Sequence, residues 1–188
     1  PAGLTRQAMD SSSRTYRFLP ADLYTAGYRI VGKVMAGTSG IMGTMNDRTK
    51  SHLEVHDARL ARIHMPTKLV DHFEVVRLVK TNIFALCAAR REDLGPAAVV
   101  RGGYSNAAPV LARVTSQVYE VEGKLEISGR FDFSVLISDT TRDFIPVFDA
   151  VLGAILIPNL KVESPAMLFN RVFIDMMALL NQRAKEEK

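Results

Sequence analysis

Three residues of one segment, His52, Glu54 and His56, have side chains that could bind a metal ion. If the segment is a β-strand, every second side chain points to the same face, so two imidazoles and a carboxylate would converge there. Such a set suits zinc or iron. A metal-dependent enzyme is therefore one function that the sequence suggests. The spacing matches no established metal motif, and a solvated polar face explains the same residues.

Basic residues in the first half of the chain form a second candidate site. The net charge of +4 permits contact with nucleic acid without requiring it. Phosphate binding needs basic side chains on one face, and the sequence has no aromatic motif of the RNP type. A solvated surface is the alternative interpretation. The candidates are Arg29, Lys33, Arg48, Lys50, Arg59 and Arg62.

Nucleophilic catalysis has little support in the sequence. The single cysteine, Cys87, lies in an apolar run and is predicted to be a small buried side chain. No serine occurs in a G-x-S-x-G motif. We therefore expect a non-enzymatic protein with no catalytic residue and no cofactor. One cysteine also fits a reducing cytoplasm, and the longest apolar run is far shorter than the roughly 20 residues of a membrane helix, so no membrane insertion is expected.

The segments that carry these residues recur along the chain. Residues 53–63 and 145–155 share Val, Asp, Ala, Leu and Ile at matching places, 92 residues apart. A preceding segment recurs as well, with Tyr, Gly and Lys at matching places in residues 28–34 and 119–125. A glycine inside a strand marks a bulge, a bend or a close backbone approach. The recurrence predicts a duplicated small β unit.

The predicted fold class is mainly β: two tandem, pseudo-symmetric small curled sheets or barrels, with short helical segments and a C-terminal helix. The predicted boundaries are a flexible leader over residues 1–27, a first copy over 28–87 and a second copy over 119–177. Residues 88–118 are a predicted linker with an added strand at 110–114. Residues 178–188 form a tail rich in helix-forming residues.

Aspartate recurs in the central strand of both copies, as Asp57 and Asp149. It is a poor residue for a strand interior. Its recurrence predicts a structural hydrogen bond at this position in preference to a catalytic carboxylate.

The central strand of the second copy is apolar on both faces. Phe144 and Phe148 would lie on one face, with Ile145 and Val147 on the other. A strand buried on both faces needs a second covering layer. We therefore predict a contact between domains or subunits, with an ordinary core as the alternative. The predicted contact residues are Phe144, Phe148, Met167, Phe169, Phe173 and Met176.

These features resemble a small bacterial domain of unknown function. Its pattern is a strand with an internal glycine, then an F-[IL]-x-[VL]-x-D-A strand, then a strand that closes after an Asn-Arg turn. Residues 144–150 and Asn170-Arg171 fit it well, whereas the first copy has His52 in place of the Phe and Lys80-Thr81 in place of Asn-Arg. The resemblance implies no catalytic residues.

Taken together, the predicted function is that of a cytoplasmic assembly or interaction protein that forms a homo-oligomer or belongs to a larger protein assembly. Nucleic-acid binding is the alternative, and a metal-dependent enzyme is the third.

Overall fold

A computed structural model describes residues 16–98, 107–128 and 130–180. The strands are β1 (Arg17–Tyr24), β2 (Tyr28–Ala36), β3 (His52–Arg62), β4 (Leu69–Val79), β5 (Ala85–Ala88), β6 (Ala107–Thr115), β7 (Tyr119–Ser128), β8 (Phe144–Ala154), β9 (Ile157–Asn170) and β10 (Met176–Leu179). The α-helices are α1 (Gly40–Asn46) and α2 (Phe133–Ser138). Short 3-10 helices lie at Lys80–Asn82, Arg91–Leu94 and Arg171–Phe173.

All ten strands belong to one sheet, in the order β10-β6-β7-β8-β9-β5-β1-β2-β3-β4. Every neighbouring pair is antiparallel. We refer to β1–β5 as the N-terminal half and to β6–β10 as the C-terminal half. The mainly β class with short helices is confirmed. The expectation of barrels is wrong, because the strands form one open sheet that runs through β9 and β5 from one half to the other.

The N-terminal part of the fold begins earlier than expected. Strand β1 falls inside the segment predicted as a flexible leader, and it pairs with both β2 and β5. Its order has a simple cause, because Leu19, Ala21 and Leu23 alternate along the strand and are all buried. Residues 1–15 of the predicted leader lie outside the described ranges.

At the C-terminal end, the first residues of the predicted helix form a strand instead. Residues 178 and 179 belong to β10, which pairs with β6. Residues 181–188 of that prediction lie outside the described ranges. Strand β6 includes residues 110–114, where an added strand was expected.

The two α-helices differ in what they bury. Helix α1 buries Ile41, Met42 and Met45, which share one face at helical spacing. Helix α2 has no buried residue and begins at Asp132, whose carboxylate accepts hydrogen bonds from the Ser134 and Val135 N–H groups. In the described ranges, no helix combines the length and the apolar character that crossing a membrane requires.

The interior is divided into two apolar clusters. The first core is built mainly from the N-terminal half and contains Leu23, Ile30 and Val55. The second core is built mainly from the C-terminal half and contains Val121 and Leu152. Each core also receives side chains from the opposite half, at the position where the halves meet.

Candidate assembly interface

The two halves are joined by the pairing of β5 with β9. Four residues of each strand pair antiparallel, from Ala85 opposite Phe169 to Ala88 opposite Ala166. We call these residues, 85–88 and 166–169, the junction. Because the junction uses backbone hydrogen bonds between strand edges, it can join two units without a dedicated linker domain.

Both faces of the junction are buried. On β5, Leu86 points into the first core and Cys87 into the second. On β9, Leu168 points into the first core and Met167 into the second. Every junction residue is buried. A region of sheet that is covered on both faces needs apolar residues at consecutive positions, which is why these two segments show no polar alternation.

The paired phenylalanines of β8 lie in the first core. Phe144 and Phe148 are buried in the same cluster as Leu53 and Val55 of β3. The guanidinium of Arg91 lies 4.0 Å from the centre of the Phe148 ring, an arrangement typical of a cation–π contact. The N-terminal half therefore covers this face of β8.

The other four predicted contact residues are distributed between the interior and the surface. Met167 and Phe169 are buried in the second core. Phe173 stacks on Phe84, with ring centres 3.9 Å apart and planes inclined by 11°. Met176 on β10 remains 52% exposed. Contact of these residues with another subunit stays a prediction.

Two asparagine side chains fasten the halves together. The Asn46 amide at the end of α1 donates to the Phe144 carbonyl at 3.0 Å and accepts from the Phe144 and Asp143 N–H groups at 2.9 Å. Asn170 is buried, and its amide donates to the Ile83 carbonyl at 3.1 Å. These contacts satisfy backbone groups that the sheet leaves unpaired. No local pattern marks Asn46 for this role, because its partners are about 100 residues away in the chain.

Lys80 is a buried cation that the sequence interpretation missed. Its ammonium group donates to the carbonyls of Thr44 and Asp47, at 2.7 and 2.8 Å, around the C-terminal end of α1. Arg171 follows β9 as Lys80 follows β4, and its guanidinium donates to the Ile137 and Arg142 carbonyls. Burial lowers the pKa of Lys80. The sequence feature that could have indicated these contacts is a basic residue directly after each of the two strands.

An open cavity of about 300 Å³ lies beside Lys80, between the halves. Its wall includes Val79, Lys50 and Asp143. The Asp143 carboxylate is within 3.3 Å of the Arg48 guanidinium and 3.2 Å of the Arg171 guanidinium. One carboxylate therefore engages both arginines, of which Arg48 lies on the cavity wall.

The recurring aspartates sit at a backbone irregularity of the sheet. Asp57 has a backbone φ of +50° and Asp149 one of +46°, values that residues other than glycine rarely adopt. The β2–β3 register shifts beside Gly32, and the β7–β8 register shifts beside Gly123. The chain therefore forms a bulge at both places, opposite a glycine.

Each of these aspartates makes a side-chain contact. The Asp57 carboxylate lies 2.7 Å from Nε2 of His72, and this hydrogen bond lowers the pKa of Asp57. The Asp149 carboxylate accepts from the Lys124 ammonium at 2.9 Å, which lowers the pKa of Asp149. The carboxylates are exposed or half-buried, so these contacts hold the bulge at the surface and do not form an enclosed acid–base site.

The three proposed metal ligands have three different environments. Glu54 accepts a hydrogen bond from the Arg77 guanidinium at 2.9 Å. The His56 ring packs edge-on against Phe18, with centres 4.9 Å apart. His52 is exposed. In the part of the chain that the structure describes, no group of three or more His, Cys, Asp or Glu side chains is arranged to hold a metal ion.

Half of the basic candidates contact carboxylates. Arg29 makes a hydrogen-bonded ion pair with Asp22 at 2.7 Å. Lys33 lies 3.8 Å from Asp57, and Arg48 pairs with Asp143. The remaining candidates, Lys50, Arg59 and Arg62, are exposed. The surface is therefore a mixture of both charges.

The thiol of Cys87 is unsuited to nucleophilic chemistry at neutral pH. The side chain is buried at the junction, and burial raises its pKa to about 12. The thiolate is the reactive form of cysteine, so this residue is inert in the folded protein.

Comparison of the chain with protein-family models, with curated protein sequences and with solved structures finds no match.

Proposed function

We propose that this chain is a non-enzymatic assembly protein, built from a duplicated β unit whose mode of association is pairing between strand edges. The observation that carries the proposal is the junction itself. One edge strand of each half is used to join the halves, and the eight residues involved are buried on both faces. Edge pairing of this kind is a recognised mode of protein association.

Matching strand registers support the duplication. In the N-terminal half Tyr24 lies opposite Ala85, and in the C-terminal half Thr115 lies opposite Met176. Both members of the second pair are 91 residues after those of the first. The element order is also the same, with a helix between the second and third strands of each half and a 3-10 helix before the fifth.

Matching turns add further support. Between β1 and β2, the Thr25 hydroxyl accepts from the Tyr28 N–H at 3.1 Å. Between β6 and β7, the Ser116 hydroxyl accepts from the Tyr119 N–H at 3.0 Å. Side-chain oxygens of this kind fix the turn and therefore the register of the hairpin. Two units with the same turns and registers are expected to retain the same edges.

Sedimentation velocity of the full chain tests the proposal. A protein that acts by association should sediment as a species heavier than the 20.8 kDa monomer, in proportions that rise with concentration. A mixture with generic RNA at several salt concentrations provides a comparison, since phosphate binding weakens with salt. Sedimentation as a monomer at every concentration, with no partner retained on purification, would contradict the assembly function.

A further inference from the structure

Among the described residues, the sheet ends at two strands that have a neighbour on one side only, β4 and β10. Both carry exposed apolar residues within the described ranges. Val79 of β4 is 51% exposed and Met176 of β10 is 52% exposed. Native proteins usually block or cover such edges, because unpaired N–H and C=O groups attract another strand.

The two end strands correspond to the two strands of the junction. β4 and β9 each end directly before a 3-10 helix, at Val79 and Asn170. β5 and β10 each begin three residues after such a helix ends, at Ala85 and Met176. Residues 75–78 of β4 therefore occupy the place of 166–169 in β9, and β10 occupies the place of β5.

We propose that the β10 edge of one chain pairs with the β4 edge of a second copy, in the register of the junction. This inference rests on the proposed assembly function and names its partner. In the junction Ala85 lies opposite Phe169 and Ala88 opposite Ala166. The same register places Met176 opposite Leu78 of the second chain and Leu179 opposite Val75.

The side chains at these positions largely suit such a contact. Val75, Val76 and Leu78 are only partly covered, and Val76 and Leu78 already pack against the first core. On β10, Met177 and Leu179 pack against the second core. Pairing would cover the exposed sides of both cores, as the junction does within the chain.

One position of the proposed contact carries a charged residue where the junction has an apolar one, and this difference affects the strength of the contact. Arg77 stands where the junction has Leu168, and its guanidinium contacts Glu54 at 2.9 Å. In the proposed register Arg77 faces Met177 of the other chain. Burying part of an ion pair is costly, so the contact is weaker than the junction and reversible.

The contact joins two different edges, so it is head-to-tail. Such interfaces form a ring where the rotation closes and a linear series where it does not. Growth is therefore expected to proceed by addition of whole chains, since each chain presents one edge of each kind.

Replacing the one charged residue tests the geometry. Arg77→Leu restores the residue type of the junction and should tighten self-association by about tenfold or more, since partial burial of the charge is avoided. Arg59→Leu is the matched control, because it adds the same apolar surface on β3, away from either edge, and should leave association unchanged. Equal effects of the two variants, or no effect of Arg77→Leu, would overturn the proposed register.

Disulfide trapping tests the register directly. Opposite residues of antiparallel strands have Cα atoms about 4.5–5.5 Å apart, within the range that a disulfide spans. A mixture of Leu78→Cys and Met176→Cys chains should form one cross-linked dimer on mild oxidation, and neither variant alone should. The native Cys87 is buried and does not compete. A chain with Glu74→Cys in place of Leu78→Cys is the shifted control and should not link to Met176→Cys.

The outcomes separate this inference from the function on which it rests. A monomeric protein at every concentration removes both. An oligomer whose mass is unaffected by Arg77→Leu, and which gives no Leu78–Met176 cross-link, keeps the assembly function and rejects this interface. A cross-link formed within a single chain carrying both cysteines, with no dimer, also rejects it.

Discussion

Alanine substitution of the strand glycines should destabilise both halves by similar amounts. A Cβ added at Gly32 would lie 2.6 Å from Cγ1 of Val55 and 2.8 Å from the His56 carbonyl oxygen. A Cβ added at Gly123 would lie 2.5 Å from Cγ1 of Val147 and 3.0 Å from the Phe148 carbonyl oxygen. The carbonyl oxygens belong to the strand backbone and cannot rotate away, and a β-branched valine has few alternative rotamers.

The expected cost follows from the size of these overlaps. Overpacking of a single methyl group typically costs 1–3 kcal/mol, and contacts below about 3 Å belong at the upper end of that range. We expect Gly32→Ala and Gly123→Ala each to lower the free energy of unfolding by about 2–3 kcal/mol. For a chain of this size, the melting temperature should fall by about 4–12 °C.

Gly27 provides the matched control. A Cβ added there meets no atom within 4 Å. Gly27→Ala should change the free energy of unfolding by less than about 0.5 kcal/mol, apart from a small gain through the unfolded state. Urea titrations of the three variants, followed by circular dichroism, measure all three values.

Two results would refute this reasoning. If Gly32→Ala or Gly123→Ala unfolds at the same urea concentration as Gly27→Ala, the backbone does not approach these glycines as closely as described. If one variant is severely destabilised while the other is neutral, the two bulges are not equivalent, and the proposed duplication loses a main support.

Three further tests address the interior, two by substitution and one by chemical labelling. Lys80→Met should cost about 1–3 kcal/mol, measured by urea titration, because it leaves two carbonyl groups near the end of α1 without their donor; Lys80→Arg should cost less if the donor is what matters. Phe148→Ala should cost about 3–5 kcal/mol, since the ring is fully buried, and a melting temperature like that of the wild-type protein would contradict its place in the first core. Cys87 should react with a thiol reagent only after unfolding, and rapid labelling of the native protein at neutral pH would show that the burial that raises its pKa to about 12 is absent.

The recurrence of Asp57 and Asp149 was sufficient to predict a structural role in the strand, because a residue that disfavours strands is retained twice at the same place. The sequence also predicted the need for a second layer over Phe144 and Phe148, from the apolar residues on both faces of β8. Which layer this would be depended on a pairing between residues far apart in the chain. Local patterns carry no information on such a pairing.

Strand β5 explains why a single sheet was not predicted. It has only four residues, all small or apolar, and a run this short shows neither that it is a strand nor which strand it pairs with. Strand β1 was missed because the serine-rich residues before it suggested a leader, although Leu19, Ala21 and Leu23 alternate within it. The hydrogen bond from Arg77 to Glu54 was not predicted, because it depends on the register of β3 and β4.

The double burial of the junction has a consequence for how the molecule melts. Since β5 and β9 each contribute side chains to both cores, neither half retains a complete interior without the other. Heat capacity should therefore show one peak whose calorimetric and van't Hoff enthalpies agree, the signature of a single cooperative transition. A destabilising substitution in either half should then lower the melting temperature of the whole molecule, because both cores depend on side chains of β5 and β9.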